Sequence, residues 1–240
     1  MYLGAEESLQ LATNLRALEV PEDAIVAVFP SALATVGVHA VLQDHPFLIG
    51  AQHVAHVPKG AYTGDISAAM FQEVGCVYAL VGHSEQRYVH KEDDEEVRRQ
   101  VESCLEVGLV PVLCVGETKQ DREEQKTEFR LTEQLTAALS GLVLSPEKNV
   151  IVAYEPVWAI GTHEACDPEE VSKIHVLIER LCTTLTGHTP IVIYGGSVDE
   201  KNVLSYVEQP YVGGVLVGGA SVHADRFATL LQIVTDHLSE

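Results

Sequence analysis

The sequence predicts an α/β fold built on a parallel sheet, and three observations lead to this fold class. Short β-rich runs alternate with helical patterns at intervals of roughly 30 residues, as repeated βα units do. Most of these runs are apolar on both faces, as strands covered by helices must be. No Ser/Gly-rich linker or shift of composition divides the chain, so one domain over residues 1–240 is predicted.

Seven strands are predicted, and each is followed by a helix. The strands cover residues 24–29, 47–51, 76–81, 110–115, 150–154, 191–194 and 214–217. The clearest helices cover residues 93–107, 119–140, 168–185 and 224–238. Asp167 and Pro168 mark one helix start, because they supply an N-cap and a proline at the first helical position.

The chain opens on a further helical pattern that continues to Val20, with no strand before it. Seven strands therefore accompany eight helices. This count fits a barrel of eight βα units that lacks its first strand, and it also fits a doubly wound sheet that begins with a helix.

Composition excludes several function classes. The net charge of −20, from 35 acidic against 15 basic residues, argues against nucleic acid or an anionic membrane as a partner. A local glycine-rich pocket could still bind a phosphate group. Five scattered cysteines without a CxxC pair indicate reduced thiols in a cytoplasm. No apolar run reaches the roughly 18 residues of a membrane span, and the histidines form no cluster that predicts a metal site.

The most informative segment is residues 153–162, Ala-Tyr-Glu-Pro-Val-Trp-Ala-Ile-Gly-Thr. Glu155 directly follows a predicted buried strand, where α/β enzymes keep catalytic groups. The Pro-Val-Trp stretch that ends in Gly-Thr has the layout of a lid between two hinges. The alternative is an ordinary βα turn with a structural glutamate.

His83 also lies at the carboxyl end of a strand, in the segment Gly-His-Ser-Glu-Gln-Arg over residues 82–87. Just before a short helix, its ring would stay neutral and donate one hydrogen bond. The alternative is a loop histidine without a role. A serine-hydrolase motif is excluded, because Gln86 stands where that motif requires glycine.

Two glycine pairs follow the last two predicted strands, in Tyr-Gly-Gly-Ser at 194–197 and Val-Gly-Gly-Ala-Ser at 217–221. Such pairs let backbone N–H groups approach an anion, which predicts a phosphate site, although each pair alone also fits a turn. Cys114 and Glu117 are interpreted as a buried thiol and a structural acid. Gln52 and the loop at 60–65 could shape a site or an interface.

Together these motifs resemble the triosephosphate isomerase family, from about Tyr2 to the C-terminus. The resemblance implies an eight-stranded βα barrel (a TIM barrel), a homodimer, and cofactor-free isomerisation of dihydroxyacetone phosphate and glyceraldehyde 3-phosphate. The family is the standard example of a carboxylate base paired with a neutral imidazole and a closing loop, so these roles come from the resemblance.

The resemblance assigns roles residue by residue. Glu155 matches the general base and His83 the neutral electrophile, while Glu85 matches an acid near the active site and Thr63 lies in the loop that enters the neighbouring subunit. The positions that match the phosphate grip are Gly161, Ser197, Gly218 and Gly219.

Three departures from the family pattern stand out. The first strand and its Asn-x-Lys motif are absent, so we expect Met1 to be an internal methionine of a longer protein. Losing the cationic donor of that motif would cost roughly 10² to 10³ in rate. At the far hinge of the lid the family's Gly-Lys is replaced by His163 and Glu164, and His53 stands where asparagine is common.

Three hypotheses follow from these observations. The first is a triose-phosphate isomerase of glycolysis and gluconeogenesis. The second is a truncated barrel that binds sugar phosphates without efficient turnover, because the cationic residue is missing. The third is a different barrel enzyme acting on a phosphorylated substrate.

Overall fold

The computed structural model describes residues 2–161 and 164–239. Its sheet contains six parallel strands, each paired with its neighbour in the chain. The strands are β1 (Ala27–Val28), β2 (Leu48–Ala51), β3 (Tyr78–Val81), β4 (Val110–Val115), β5 (Ile151–Tyr154) and β6 (Ile191–Tyr194). This order confirms the predicted α/β barrel class, with all strand carboxyl ends at one edge.

Helices connect the strands. They are α1 (Ala5–Leu15), α2 (Thr35–Leu42), α3 (Ala68–Glu73), α4 (Ser84–Tyr88), α5 (Asp94–Val107), α6 (Lys119–Glu123), α7 (Thr127–Leu139), α8 (Pro168–Thr186), α9 (Val203–Val207) and α10 (Ala224–Leu238). Two 3₁₀ turns cover Val157–Ala159 and Gly219–Val222. The Asp167 side chain accepts hydrogen bonds from the N–H groups of Glu169 and Glu170, so the N-cap predicted there is confirmed.

The predicted strand over 214–217 is reduced to one parallel bridge, between Val215 and Tyr194. Two hydrogen bonds flank it: Leu216 N donates to Tyr194 O at 2.8 Å, and Tyr194 N donates to Gly214 O at 3.0 Å. The strand predicted over 24–29 shortens to β1 in the same way. Within the described residues, β1 pairs only with β2, and the Val215 segment pairs only with β6, because no strand lies between these two segments. A strand that pairs on one side only is held by fewer hydrogen bonds, so both segments form short ladders.

The outer layer of helices closes more fully than the sheet. Helix α1, the first of the chain, packs against both α2 and the last helix, α10, so the outer layer is continuous between the two ends of the chain. The single helix predicted over 119–140 is wrong, because the chain divides into α6 and α7. Gln125 takes a φ of +57°, and Lys126 N donates back to Asp121 O at 2.7 Å, which ends α6.

Side chains of each strand alternate between two apolar layers. Leu113 and Val115 of β4 face the large core beneath the helices, whereas Val112 and Cys114 face the interior of the sheet. The interior cluster also includes Tyr78 and residues of β5. This period of two explains why the strands read as continuous apolar runs in the sequence.

Acidification is expected to destabilise the fold through His175. This side chain of α8 is fully buried, and burial lowers its pKa to about 4, although a bond of its Nδ1 to Tyr211 O, at 2.9 Å, opposes the shift. The unfolded chain binds this proton below a pH of roughly 6.5. The free energy of unfolding should therefore fall by about 3 kcal/mol between pH 6.5 and 4 from this residue alone.

Urea denaturation at several pH values measures the free energy of unfolding of the wild type and of His175→Gln, whose side chain cannot titrate in this range. The difference between the two pH dependences gives the contribution of His175. The matched control is His90→Gln, because His90 is exposed. Equal pH dependence of the wild type and His175→Gln would contradict the assignment.

Candidate active site

Glu155 immediately follows β5 and is 2% exposed. Its backbone N–H donates to Val115 O at 2.8 Å, which extends the β4–β5 pairing by one residue. Glycines from both neighbouring strand ends pack against it. A Cβ added at Gly116 would lie 1.8 Å from Glu155 O, and one at Gly195 would lie 2.9 Å from Glu155 Cγ. The backbone and the Cγ of Glu155 thus lie in a space that only glycine neighbours allow.

His83 and Glu155 are in direct contact, with His83 Nε2 3.1 Å from Glu155 Oε1. His83 is the N-cap of α4, and its Nδ1 accepts the N–H of Glu85 at 3.3 Å. Nδ1 accepts this hydrogen bond, so in a neutral ring the proton would lie on Nε2, the nitrogen that faces the carboxylate. The neutral form of His83 stays a prediction.

The second oxygen of Glu155 is also engaged. Ser84 N donates to Glu155 Oε2 at 2.9 Å, in a buried contact. Burial raises the pKa of the Glu155 carboxyl above its usual range, and the electrostatic interaction with His83 and the hydrogen bond from Ser84 oppose this shift. A raised pKa brings a carboxylate closer to the basicity that general-base catalysis needs near neutral pH.

The near hinge of the predicted lid is anchored by Glu117. This carboxylate is fully buried and accepts from Trp158 Nε1 at 2.7 Å and from the Tyr154 hydroxyl at 3.1 Å. Burial raises the pKa of Glu117. The Arg122 guanidinium lies 4.1 Å above the Trp158 ring. Glu117, interpreted from sequence only as a structural acid, thus contacts the lid itself.

The far hinge is anchored by two tyrosines. Cys166 N donates to the Tyr194 hydroxyl at 3.1 Å, and the Tyr206 hydroxyl donates to Cys166 O at 2.7 Å. The two rings stack with centroids 4.3 Å apart. Gly161 is exposed and has a φ of +69°, a conformation that favours glycine. His163, at which the chain departs from the family pattern, lies outside the described residues.

The remaining candidates for phosphate contact follow two paired strand segments. Ser197 lies in the loop after β6, partly buried, and its carbonyl accepts from Asn202 at 3.0 Å. Gly218 and Gly219 are exposed after the Val215 segment. A Cβ at either glycine would meet nothing within 4 Å. The backbone N–H groups of Gly218 and Gly219 are therefore open to a ligand at the carboxyl edge of the sheet.

Other sequence candidates lie farther from the carboxylate. The Glu85 side chain is 77% exposed, and its Oε2 is 4.0 Å from His83 Nδ1. Thr63 is exposed in the loop over residues 60–65. Gln52 and Asp65 line a cavity of about 250 Å³ with His53, so this loop borders an opening rather than Glu155.

Three contacts around the site were not anticipated from the sequence. The backbone of Ser84 holds Glu155, as described above. Arg87 donates to Gly82 O at 2.8 Å and to Asp94 at 2.6 Å, which braces the turn that carries His83. Gln134 of α7 accepts from Gly116 N at 2.9 Å. Ser84 and Arg87 lie within the His83 segment over residues 82–87, and that position is the only sequence signal that could have suggested their roles.

Within residues 2–161 and 164–239, no group of three or more His, Cys, Asp or Glu side chains is arranged to hold a metal ion. None of the helices described is long and apolar enough to cross a membrane. All five cysteines are buried and unpaired, and burial raises the pKa of Cys166 to about 12.

Comparison with known proteins identifies the family. The family model described as triosephosphate isomerase matches residues 1–234. The triosephosphate isomerase of Roseiflexus castenholzii is 38% identical, over 98% of this chain and 94% of its own length. The triosephosphate isomerase of Aquifex aeolicus is 38% identical over 91% of this chain and 90% of its own length. The triosephosphate isomerase of Paracidovorax citrulli is 41% identical over 88% of this chain and 83% of its own length. This chain therefore belongs to the triosephosphate isomerase family.

Proposed function

We propose that this chain interconverts dihydroxyacetone phosphate and glyceraldehyde 3-phosphate by proton transfer through an enediolate, without a cofactor. The observation that supports this most directly is the contact of 3.1 Å between His83 Nε2 and Glu155 Oε1. A base and a neutral hydrogen-bond donor so close together both lie within reach of one three-carbon molecule. Such an activity belongs to glycolysis and gluconeogenesis.

In the proposed mechanism, the Glu155 carboxylate removes a proton from the carbon beside the carbonyl group and returns it to the neighbouring carbon. His83 Nε2–H donates to the carbonyl oxygen and stabilises the charge that develops there. The hydroxyl proton of the enediolate moves to that oxygen, which leaves the neighbouring oxygen as the new carbonyl. Ser84 N donates to one carboxylate oxygen, and His83 Nε2 lies 3.1 Å from the other. The substrate must therefore bind so that its carbonyl oxygen, rather than Glu155 Oε1, is the acceptor nearest to His83 Nε2.

The lid over residues 156–161 supplies the second requirement, which is exclusion of water. Trp158 and Cys166 are tied to the body of the protein at the two ends of this region. A closed lid would protect the enediolate from loss of its phosphate group, and it strengthens the electrostatic interactions inside the site.

A coupled assay in both directions tests the proposal. We expect formation of either triose phosphate from the other, with no requirement for added metal or nucleotide. Exchange of the substrate's C–H proton with solvent in deuterated water, measured by NMR, provides an independent check on proton transfer at carbon. Lack of both turnover and exchange in a folded preparation that still binds an analogue would contradict the proposal.

The second candidate function, binding of sugar phosphates without efficient turnover, is favoured by one observation. In the part of the chain that the structure describes, the only ionisable nitrogen within 4.0 Å of the Glu155 carboxylate belongs to His83. A cationic donor near a developing enediolate contributes a factor of roughly 10² to 10³ in rate. Isothermal titration with 2-phosphoglycolate, compared with the assay above, separates the two functions: binding without turnover supports the second.

We also propose that residues 1–240 act as one barrel domain in a cytoplasmic homodimer. Support comes from the exposed loop that carries Thr63 and from the neighbouring cavity of about 250 Å³, which offer a protrusion and a recess on one face. Light scattering at several concentrations measures the state directly. A Thr63→Arg variant is expected to favour the monomer, because its bulk and charge would oppose insertion of the loop into a partner.

Replacing Gly219 by alanine is expected to weaken substrate binding without destabilising the fold. The new Cβ would meet no protein atom within 4 Å, so the free energy of unfolding should change by less than about 0.5 kcal/mol. The same methyl group would keep a phosphate from the backbone N–H groups. Loss of one charge-assisted hydrogen bond raises KM about 10-fold or more, as steady-state kinetics would measure.

The matched control is Gly4→Ala, at the N-cap of α1, where the added Cβ would meet only the flexible side chain of Glu7 at 3.4 Å. Its KM should equal that of the wild type. Unchanged KM in Gly219→Ala would remove Gly219 from the phosphate site.

A further inference from the structure

Gln134, on α7, has no role in the family pattern described above, yet it is 3% exposed and its side-chain amide contacts the backbone beside Glu155. Gly116 N donates to Gln134 Oε1 at 2.9 Å, and Gln134 Nε2 donates to Gly116 O at 3.4 Å. Gly116 comes directly after the end of β4, where the strand ladder stops. The amide therefore satisfies both buried polar groups of one residue, as a neighbouring strand would.

The turn that Gln134 holds carries the parts of the proposed active site. On one side of Gly116, Val115 O accepts from Glu155 N at 2.8 Å. On the other side, Glu117 O accepts from Val157 N at 3.1 Å, at the near hinge of the lid. Glu155 and the lid hinge are thus both hydrogen-bonded to the three-residue turn whose centre is fixed by Gln134.

The contact between the backbones of Gly116 and Glu155 is close enough for a small displacement of one to move the other. The backbone of Gly116 lies directly against that of Glu155, since an added Cβ would stand 1.8 Å from Glu155 O. The side chain of Glu117 also receives the Trp158 N–H at 2.7 Å. A shift of Gly116 must therefore move the base, the hinge or Trp158.

We propose that Gln134 is a positioning residue, whose amide fixes Gly116 and through it aligns the Glu155 carboxylate and the near hinge of the lid. This inference rests on the proposed isomerase function for its kinetic consequence, but its structural consequence is independent of turnover. Gln134 does not contact the substrate, so it acts only through the turn at residues 115–117.

The first test replaces Gln134 by methionine, which keeps a similar volume and removes both hydrogen bonds. We expect kcat to fall roughly 10- to 100-fold with little change in KM, because small misplacements of a catalytic group cost rates of this order. Trp158 is the only tryptophan of the chain, so intrinsic fluorescence reports on the near hinge alone. Its emission maximum should shift in the variant.

The second test is Gln134→Glu, which is sensitive to pH. An ionised carboxylate accepts from Gly116 N but repels Gly116 O, whereas the protonated form donates to that oxygen and restores the original pair. The ratio of variant kcat to wild-type kcat should therefore rise towards one as the pH is lowered. A residue that only fills space would leave this ratio constant.

The control is Leu135→Val, which also perturbs a fully buried position of α7 but whose side chain cannot hydrogen-bond to Gly116. It should lose thermal stability while keeping the wild-type kcat and Trp158 emission. The proposal is overturned if folded Gln134→Met matches the wild type in kcat and emission, or if the Gln134→Glu ratio does not depend on pH. If Gln134→Met does not fold, the Gln134→Glu ratio decides. If the wild type has no turnover, the isomerase function fails, and the emission of the Gln134 variants still decides this proposal.

Discussion

Replacing Glu155 by glutamine is expected to lower kcat for triose-phosphate isomerisation by roughly 10³-fold, with little change in KM. The amide keeps the size of the side chain and can still accept the Ser84 N–H that holds Oε2 at 2.9 Å. It has no useful basicity, so proton removal from carbon loses its acceptor. Steady-state kinetics and solvent proton exchange measure the two consequences separately.

The pH dependence of the wild type follows from the same group. Burial raises the pKa of Glu155, and a base works only when it is deprotonated. Activity should therefore fall on the acid side, as the carboxyl gains its proton, at a higher pH than an exposed glutamate would give. The acid limb should be absent from whatever residual activity Glu155→Gln retains.

The control for charge removal is Glu106→Gln, an exposed position near the end of α5, which should keep wild-type kinetics. If Glu155→Gln retains turnover within about fivefold of the wild type, the general-base assignment fails. In that case the hypothesis of a different barrel enzyme on a phosphorylated substrate becomes the better one.

The parts of the fold that were predictable are those that depend on local pattern. Helix α10 has the predicted bounds, Ala224–Leu238, and α8 begins at Pro168 after the predicted N-cap. The regular alternation of runs also predicted the parallel sheet, whereas the sequential strand order followed only from the family resemblance, because the count of elements fitted a doubly wound sheet as well. Errors occurred where tertiary contacts decide. The break between α6 and α7 depends on a left-handed Gln125, a conformation that the surrounding helical pattern did not reveal.

The proximity of Glu155 and His83 was predictable to a similar depth. Both could be found because each lies within two residues of the end of an apolar run, and parallel strands bring their carboxyl ends together. Gln134 could not be found in this way. It lies on a helix among other polar residues, and only the structure reveals that its amide faces inward onto Gly116. The same holds for Glu117, whose partner Trp158 is 41 residues away in the chain.

Replacing Gly116 by alanine is expected to be the most disruptive single change near the site. The new Cβ would lie 1.8 Å from Glu155 O and 2.5 Å from its carbonyl carbon, both backbone atoms that cannot rotate away. Strands β4 and β5 would have to separate, and overpacking of a rigid core costs about 3 kcal/mol or more. Urea denaturation should show this loss of unfolding free energy.

The kinetic consequence distinguishes a local effect from general destabilisation. Under conditions where the Gly116→Ala variant remains folded, kcat should still fall, because relief of the clash requires a shift of the same backbone that carries Glu155. Gly219→Ala should give the opposite pattern, because its added Cβ meets no protein atom within 4 Å. Its free energy of unfolding should be unchanged, whereas its KM should rise. A Gly116→Ala variant with wild-type stability would mean that β4 and β5 are not packed as closely as described. The explanation of how Gln134 acts on Glu155 would then fail too, because it depends on that same close contact.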